Sequence, residues 1–200
     1  MPRRNAATDQ EPVQDRIVSY AQTMFFSCGF STVTMDHLAV DLGISKKTLY
    51  KHFGSKEALL NEILERRMTL IESDLTELTS VEAPEFATKL QNLITYAVQK
   101  FAEIKEPFVV DLRRNAPQVL RKIEEFRERV IPKFCGAIVS EGLDRGKFRS
   151  DFDADVVVQI LLHSAQGILL GGRPLRSDLS EKTAIDTIVR VVLQGIEIRN

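Results

Sequence analysis

Residues 34–56, TMDHLAVDLGISKKTLYKHFGSK, decide the fold of the N-terminal part of this 200-residue chain. Gly43 lies between two segments with helical apolar spacing, and glycine adopts the left-handed conformation that ends a helix at no steric cost. Ser45 can then accept a hydrogen bond from the free N–H groups at the start of the next helix. The stretch therefore predicts two short helices joined by a tight turn.

The second of these helices is basic. Residues 45–56 contain four lysines and no Asp or Glu, although the net charge of the whole chain is only −1. A lysine-bearing amphipathic helix is by itself more often a solvated surface. Its position after a short helix and a tight turn, however, is typical of a helix-turn-helix, whose second helix enters the DNA major groove.

Residues 17–60 resemble the N-terminal domain of TetR-type transcriptional regulators. The positions that carry the resemblance are spread over the first predicted helix, its end and the helix-turn-helix. They are Ile17, Ala21, Phe25, Gly29, Phe30, residues 32–34, Leu38, Ala39, Gly43, Ile44, Ser45, Thr48, Leu49, Tyr50, His52, Phe53, Ser55, Lys56, Glu57 and Leu59. Lys47 departs from the family, which often has glycine or another small residue at that position, and it adds a positive charge.

The resemblance implies a homodimer in which each recognition helix reads one half of a near-palindromic DNA site. The residues expected to contact DNA are Thr34, Ser45, Lys46, Lys47, Thr48, Tyr50, Lys51, His52 and Lys56. Most of them face the major groove, whereas Thr34, His52 and Lys56 lie at helix ends and are better placed for phosphates.

The apolar residues of the remaining chain follow a helical period throughout. We therefore predict an all-α fold of about nine helices, with an N-terminal three-helix helix-turn-helix domain and a C-terminal helical domain. The predicted division is a DNA-binding domain at 1–56 with an arm at 1–11, a connecting helix at 57–79, and an effector-binding and dimerisation domain at 80–200. Pro132 should interrupt the seventh helix, because it lacks an N–H group.

The last two predicted helices are apolar on more than one side, which indicates that they are buried all round. They could form the core of a monomer or an interface between subunits. The resemblance favours the interface, because TetR-type regulators dimerise through their last two long helices. The residues expected at this interface are Val157, Leu161, Val189 and Leu193.

The resemblance also implies a pocket for a small-molecule effector in the C-terminal domain. The candidate residues are Tyr96, Phe101, Phe108, Phe126, Phe134 and His163, although such aromatic residues are more often plain core. A helix broken at Pro132 beside Phe101, Phe108 and Phe134 would leave a mostly apolar cavity with a volume on the order of a few hundred Å³. We therefore expect a lipophilic effector, such as an aromatic or an acyl compound.

Other classes of function have little support. The sequence contains no Gly-rich phosphate loop, nucleophile elbow or zinc-ligand spacing, so we expect no enzyme, metal site or cofactor. Cys28 and Cys135 lie far apart in apolar helical patterns and are expected to be buried and reduced. No segment reads as a signal peptide or a membrane span, so we expect a cytoplasmic protein with no membrane partner.

Three functional interpretations follow from these patterns. The first is a repressor that leaves its operator when an effector binds. The alternatives are a DNA binder without a ligand, and a helical protein-interaction module with a vestigial DNA motif.

Overall fold

The computed structural model describes residues 11–80, 86–170 and 180–196. In these ranges the chain forms nine α-helices and no β-strand, which confirms the predicted all-α fold. The helices are α1 (Val13–Cys28), α2 (Met35–Asp41), α3 (Lys46–His52), α4 (Lys56–Ser80), α5 (Phe86–Ala102), α6 (Glu106–Asn115), α7 (Pro117–Asp144), α8 (Ala154–Leu170) and α9 (Glu181–Ile196).

The described helices pack as two units. Unit 1 contains the described residues up to Met68 together with residues 104–123, and unit 2 contains the other described residues. This grouping differs from the predicted division at 56 and 80. The first part of α4 packs with the helix-turn-helix, and α6 belongs to unit 1 although it follows α5 in the chain. Most of the predicted arm, and residues 81–85 at the predicted boundary, lie outside the described residues.

Unit 1 is organised around the apolar face of α1. Ile17, Ala21 and Phe25 are fully buried and recur at the spacing that places side chains on one face of a helix. Gly29 ends the helix with a φ of 93° and donates its N–H to the carbonyl oxygen of Phe25 at 2.9 Å. Leu49 of α3 is buried in the same cluster, so the recognition helix is anchored directly on this core.

Helix α6 completes this core from a distant part of the chain. Phe108 and Leu112 lie four residues apart, on one helical face, and both are fully buried. The rings of Phe108 and Phe26 pack with their centroids 5.0 Å apart. Phe108 is therefore a core residue of unit 1, and not part of an effector pocket in the C-terminal domain as predicted. An apolar stripe indicates that a helix face is buried but does not identify what covers it.

Unit 2 contains the packed helices α5, α8 and α9. The four residues predicted for a subunit interface are buried within this chain. Their exposed fractions are 6% for Val157, 1% for Leu161, 3% for Val189 and 3% for Leu193. Their burial comes from packing within the chain, where α8 packs on α9 and α9 also packs on α5.

Other apolar side chains of α8 and α9 are exposed. Val156 and Ile160 lie four residues apart on α8 and are 55% and 49% exposed, and Val191 on α9 is 64% exposed. The sequence pattern was apolar on two sides of α8, and only the packing separates the side that faces the core from the side that faces solvent.

Helix α7 continues through Pro132 from Pro117 to Asp144. The proline does not interrupt the helix, contrary to the prediction. Val130, Ile131 and Phe134, which flank it, are all buried. Their burial against the rest of unit 2 stabilises the helix and offsets the hydrogen bond that a proline cannot make.

The two cysteines have different environments. Cys135 is buried, as predicted, and burial raises the pKa of its thiol to about 12. Cys28 was also expected to be buried, but this last residue of α1 is exposed.

Phe108→Ala is expected to destabilise unit 1 by about 3–5 kcal/mol, because removal of a fully buried ring forfeits its burial and leaves a cavity. Val110→Ala on the same helix is the control, since this side chain is 36% exposed. Its effect should stay below about 1 kcal/mol. Urea unfolding followed by circular dichroism measures both, and equal midpoints for the two variants would contradict the assignment of Phe108 to the core.

Candidate nucleic-acid interface

The ends of α2 and α3 are held by side-chain caps. Thr34 precedes α2, and its hydroxyl oxygen accepts a hydrogen bond from the N–H of His37 at 3.2 Å. Ser45 precedes α3, and its hydroxyl oxygen accepts from the N–H of Thr48 at 3.0 Å, which confirms the predicted N-cap. The hydroxyl groups of Ser45 and Thr48 also lie 2.8 Å apart. Thr34, Ser45 and Thr48 therefore position the two helices, whatever further contacts they make.

The turn between α2 and α3 depends on Gly43. This glycine has a φ of 66° and donates its N–H to the carbonyl oxygen of Val40 at 3.0 Å. Helix α1 also contacts this turn, because the guanidinium of Arg16 donates a hydrogen bond to the carbonyl oxygen of Leu42. The hydroxyl of Tyr20 donates to Asp41 on α2, and this hydrogen bond raises the pKa of Tyr20. The turn is thus fixed to α1 as well as to its own helices.

The exposed face of α3 carries most of the predicted groove contacts. Lys46, Lys47, Tyr50 and Lys51 are exposed, while Leu49 on the opposite side is fully buried. At about 100° per residue these four side chains lie within an arc of about 140°. The face holds three ammonium groups and one phenol, so it can neutralise phosphates and donate to base edges. His52 is also exposed, in the last turn of α3.

Lys46 has an acidic neighbour on α2. Its ammonium lies 2.5 Å from a carboxylate oxygen of Asp36, and both side chains are exposed. Asp36 was not among the residues predicted to act at this surface. An acidic residue in the first turn of a helix is ordinarily explained by the helix dipole, so the sequence offered no separate signal for it.

Lys56 was predicted to contact phosphate, and the structure gives its ammonium an internal position. The Nζ atom donates to the carbonyl oxygens of Phe30 (2.8 Å) and Val33 (2.9 Å), and lies 4.3 Å from the centroid of the Phe30 ring. Burial lowers the pKa of Lys56, while Glu57 and Asp111 act in the opposite direction. Lys56 therefore stabilises the segment between α1 and α2, and a phosphate contact by its remaining N–H stays a prediction.

Asp111 on α6 holds the same segment from another direction. Its carboxylate accepts hydrogen bonds from the backbone N–H and the hydroxyl of Ser31, and from the amide of Asn115. Burial raises the pKa of Asp111, but these hydrogen bonds and the nearby Lys56 ammonium outweigh it, so the pKa is lowered overall. A Cβ at Gly29 would lie 3.3 Å from the carboxylate, so this close approach also favours glycine.

The predicted effector residues do not form one site. A cavity in unit 2 is bounded by Ile71, Leu75, Ala97, Lys100, Phe126, Arg127, Val130 and Ile131. Of the six candidates, only Phe126 lines it. Its volume is about 10 Å³, room for about one water and far below the predicted size. The side chain of Phe101 lies outside the described residues.

The candidates Tyr96, Phe134 and His163 do not line this cavity and contact other groups. The hydroxyl of Tyr96 donates to Asp74, and Phe134 is buried beneath Lys133, whose Nζ lies 5.1 Å from the ring centroid. His163 is exposed on α8, with Nδ1 2.8 Å from the carbonyl oxygen of Gln159. It lies on the same side of α8 as Val156 and Ile160, and not in the cavity.

Among the residues that the structure describes, no group of three or more His, Cys, Asp or Glu side chains is placed to hold a metal ion. Within the same ranges, no helix is both long and apolar enough to cross a membrane.

Comparison with known sequences places the helix-turn-helix in a family. Residues 17–63 match the family described as bacterial regulatory proteins, tetR family. The chain is 24% identical to the HTH-type transcriptional regulator UidR of Escherichia coli (strain K12) over an aligned length of 199 residues, and the match covers 96% of this chain and 96% of that regulator. It is 24% identical over 148 residues to the HTH-type transcriptional repressor KstR2 of Mycobacterium tuberculosis (strain H37Rv), covering 72% of this chain and 74% of the repressor.

Solved structures share the fold along nearly the whole chain. A transcriptional regulator from Saccharomonospora viridis, solved in complex with choline, has a TM-score of 0.73 at 21% identity and covers 93% of this chain and 98% of that chain. The SmeT–triclosan complex has a TM-score of 0.72 at 16% identity and covers 92% and 91%. At these identities the likeness concerns the fold alone.

Asp111→Asn is expected to lower the free energy of unfolding at pH 7 by about 1.5–3 kcal/mol, the range for hydrogen bonds to a charged group. Because the folded pKa is depressed, the stabilisation by the carboxylate is present above the unfolded pKa of about 3.9 and is lost as pH falls through the lower folded pKa. The difference between wild type and variant should therefore shrink below about pH 4. Urea titrations at pH 7 and pH 3 measure it, with Glu65→Gln, an exposed carboxyl on α4, as control. A difference that does not depend on pH would contradict this account.

Proposed function

The chain is a TetR-type transcriptional regulator, and on this basis we propose that it is a homodimeric repressor that binds a near-palindromic operator and is released by a small lipophilic effector. Its partners are double-stranded operator DNA, the effector and a second copy of the chain. It acts where the DNA is, in the cytoplasm, and it is not an enzyme.

The observation that carries the proposal is the exposed lysine face of α3. Three lysines and Tyr50 project from a helix whose opposite face is anchored by Leu49 in the core. A rigidly placed basic helix after a tight turn can enter a major groove, where donors reach the O6 and N7 acceptors of guanine. Thr34, Ser45 and Thr48 cap the helices, and His52 and Lys56 lie at helix ends, where phosphates would approach.

A second copy would cover the exposed apolar face of α8 and α9. Val156 and Ile160, with Val191 on α9, present large apolar side chains to solvent. Two copies that pack these faces together would remove them from water, which is favourable in proportion to the apolar area buried. A dimer with two-fold symmetry would present two copies of α3 to successive major grooves, about 34–36 Å apart.

The lipophilic character of the effector rests on the cavity in unit 2. Its lining is apolar except for Lys100 and Arg127, and the buried Nε of Arg127 has no hydrogen-bond partner. An effector with an apolar body and one acceptor would match this lining. Since the cavity has a volume of about 10 Å³, binding must shift the protein towards a more open state, and this shift provides a means of regulation.

Helices α4 and α7 each belong partly to unit 1 and partly to unit 2, so a change in unit 2 has a covalent route to the helix-turn-helix. The similarity to the repressor KstR2 supports the proposed repression, and the similarity to the choline and triclosan complexes supports the proposed binding of a small molecule.

A constitutive DNA binder is the second candidate, favoured by the small volume of the cavity. A thermal-shift screen for ligands separates the repressor from the constitutive binder. A regulated repressor should bind an effector whose affinity changes when operator DNA is added, because coupling between sites is reciprocal.

Selection from a pool of random duplexes tests DNA recognition directly. The purified protein should enrich a near-palindromic sequence, and its affinity should fall steeply with salt because lysines release counterions from phosphates. Lys51→Ala is expected to reduce the affinity, and Lys47→Ala should also change the selected sequence. Lys122→Ala on α7, an exposed lysine outside the helix-turn-helix, is the control. Enrichment of no sequence, together with binding that ignores salt, would refute DNA recognition.

Ile160→Asp is expected to convert a dimer to a folded monomer, because a charge placed in a buried interface remains unpaired. Leu70→Asp is the matched control, since Leu70 on α4 has a similar exposed fraction of 53%, against 49% for Ile160. It should leave the dimer intact. Analytical ultracentrifugation at micromolar concentration measures the mass of each protein. A monomeric wild type, or an Ile160→Asp variant that stays dimeric, would rule out this interface.

A further inference from the structure

We propose that Asp36 is a specificity-determining residue that acts by positioning Lys46. The inference rests on the proposed recognition of DNA by α3. The starting observation is the ion pair in which the ammonium of Lys46 lies 2.5 Å from the carboxylate of Asp36. The pair joins the first turn of α2 to the first residue of α3.

Because Lys46 is the first residue of α3, the direction in which its side chain points affects which DNA group it can contact. In a helix-turn-helix, the N-terminal residues of the recognition helix contact base edges. A lysine side chain is long and flexible, so without a partner it can reach a phosphate as readily as a base. Asp36 holds the ammonium on the α2 side of α3, which limits the directions from which Lys46 can approach the duplex.

The ion pair has little effect on stability. The side chains of Lys46 and Asp36 are 62% and 53% exposed, and exposed ion pairs of this kind contribute little to folding. Its consequence lies in the charge of the surface that faces DNA. The carboxylate neutralises one of the three lysines of that face and repels phosphates, and this repulsion is present whatever the sequence of the duplex.

The effect on an operator is different from the effect on other DNA. Where a base edge offers an acceptor in line with the held ammonium, the contact is formed without the cost of ordering a free side chain. Where no base edge offers such an acceptor, Asp36 contributes only its repulsion of the phosphates. Asp36 therefore lowers affinity in general and raises the ratio of operator to non-operator binding.

The test compares two carboxylates of α2. Asp36→Asn removes the charge beside Lys46. Asp41→Asn is the control, because it removes the same charge from the same helix, while its side chain can still accept the hydrogen bond from Tyr20. Fluorescence anisotropy measures the affinity of each variant for the selected operator and for a shuffled duplex of equal length, at two salt concentrations.

Asp36→Asn is expected to bind the shuffled duplex more tightly and to reduce the ratio of operator to shuffled affinity by roughly two- to fivefold, because an exposed ion pair can hold the Lys46 side chain by no more than its own small free energy. Asp41→Asn should leave the ratio unchanged. In a Lys46→Gln background, Asp36→Asn should no longer change the ratio, because the residue acts through Lys46.

Three results would overturn the role of Asp36. They are a ratio that Asp36→Asn does not change, an equal change with Asp41→Asn, and a change that persists in the Lys46→Gln background. Each can occur while the wild type still selects and binds an operator. Failure of the wild type to select any operator would overturn the proposed function itself, and the role of Asp36 with it.

Discussion

The placement of the helix-turn-helix depends on the hydrogen bonds that the ammonium of Lys56 donates. It bonds to the carbonyl oxygens of Phe30 and Val33, in the segment that leads from α1 into α2. Carbonyl groups in a turn have no helical partner, and a partly buried ammonium needs acceptors, so each satisfies the other. Asp111 satisfies the N–H and hydroxyl of Ser31 in the same segment. Two helices from distant parts of the chain, α4 and α6, thus hold the segment that ends at the N-cap Thr34.

The properties of α3 follow from this support. With Leu49 buried and Ser45 capping the first turn, the helix has a single orientation relative to α1 and α2. Its lysines then form one surface. The only acidic group paired with that surface among the described ion pairs is Asp36. A rigid helix converts a cluster of positive charge, which any polyanion would attract, into a surface with a defined register on DNA.

Local features of the protein could be predicted from sequence because they depend on neighbours in the chain. Gly43, Ser45 and the basic helix act within a few residues of one another, and the structure confirms the turn, the N-cap and the exposed lysines. Burial partners could not be predicted in the same way. Phe108 joins the core of unit 1, and Leu161 is buried within unit 2. Helical periodicity indicates that a face is buried, but it does not identify the element that covers the face.

The sequence by itself therefore determined the helices, the helix-turn-helix and the positive charge of its second helix, because these depend on backbone propensities and on the spacing of side chains along one helix. The tertiary structure decided which contacts link residues far apart in the chain. Ser31 meets Asp111, and Lys46 meets Asp36, only after α6 and the turn have packed. It also decided that the cavity beside Phe126 is small and that Val156 and Ile160 face solvent. Such outcomes depend on how several helices share the space between them, and close packing in three dimensions is not encoded in any single periodic pattern.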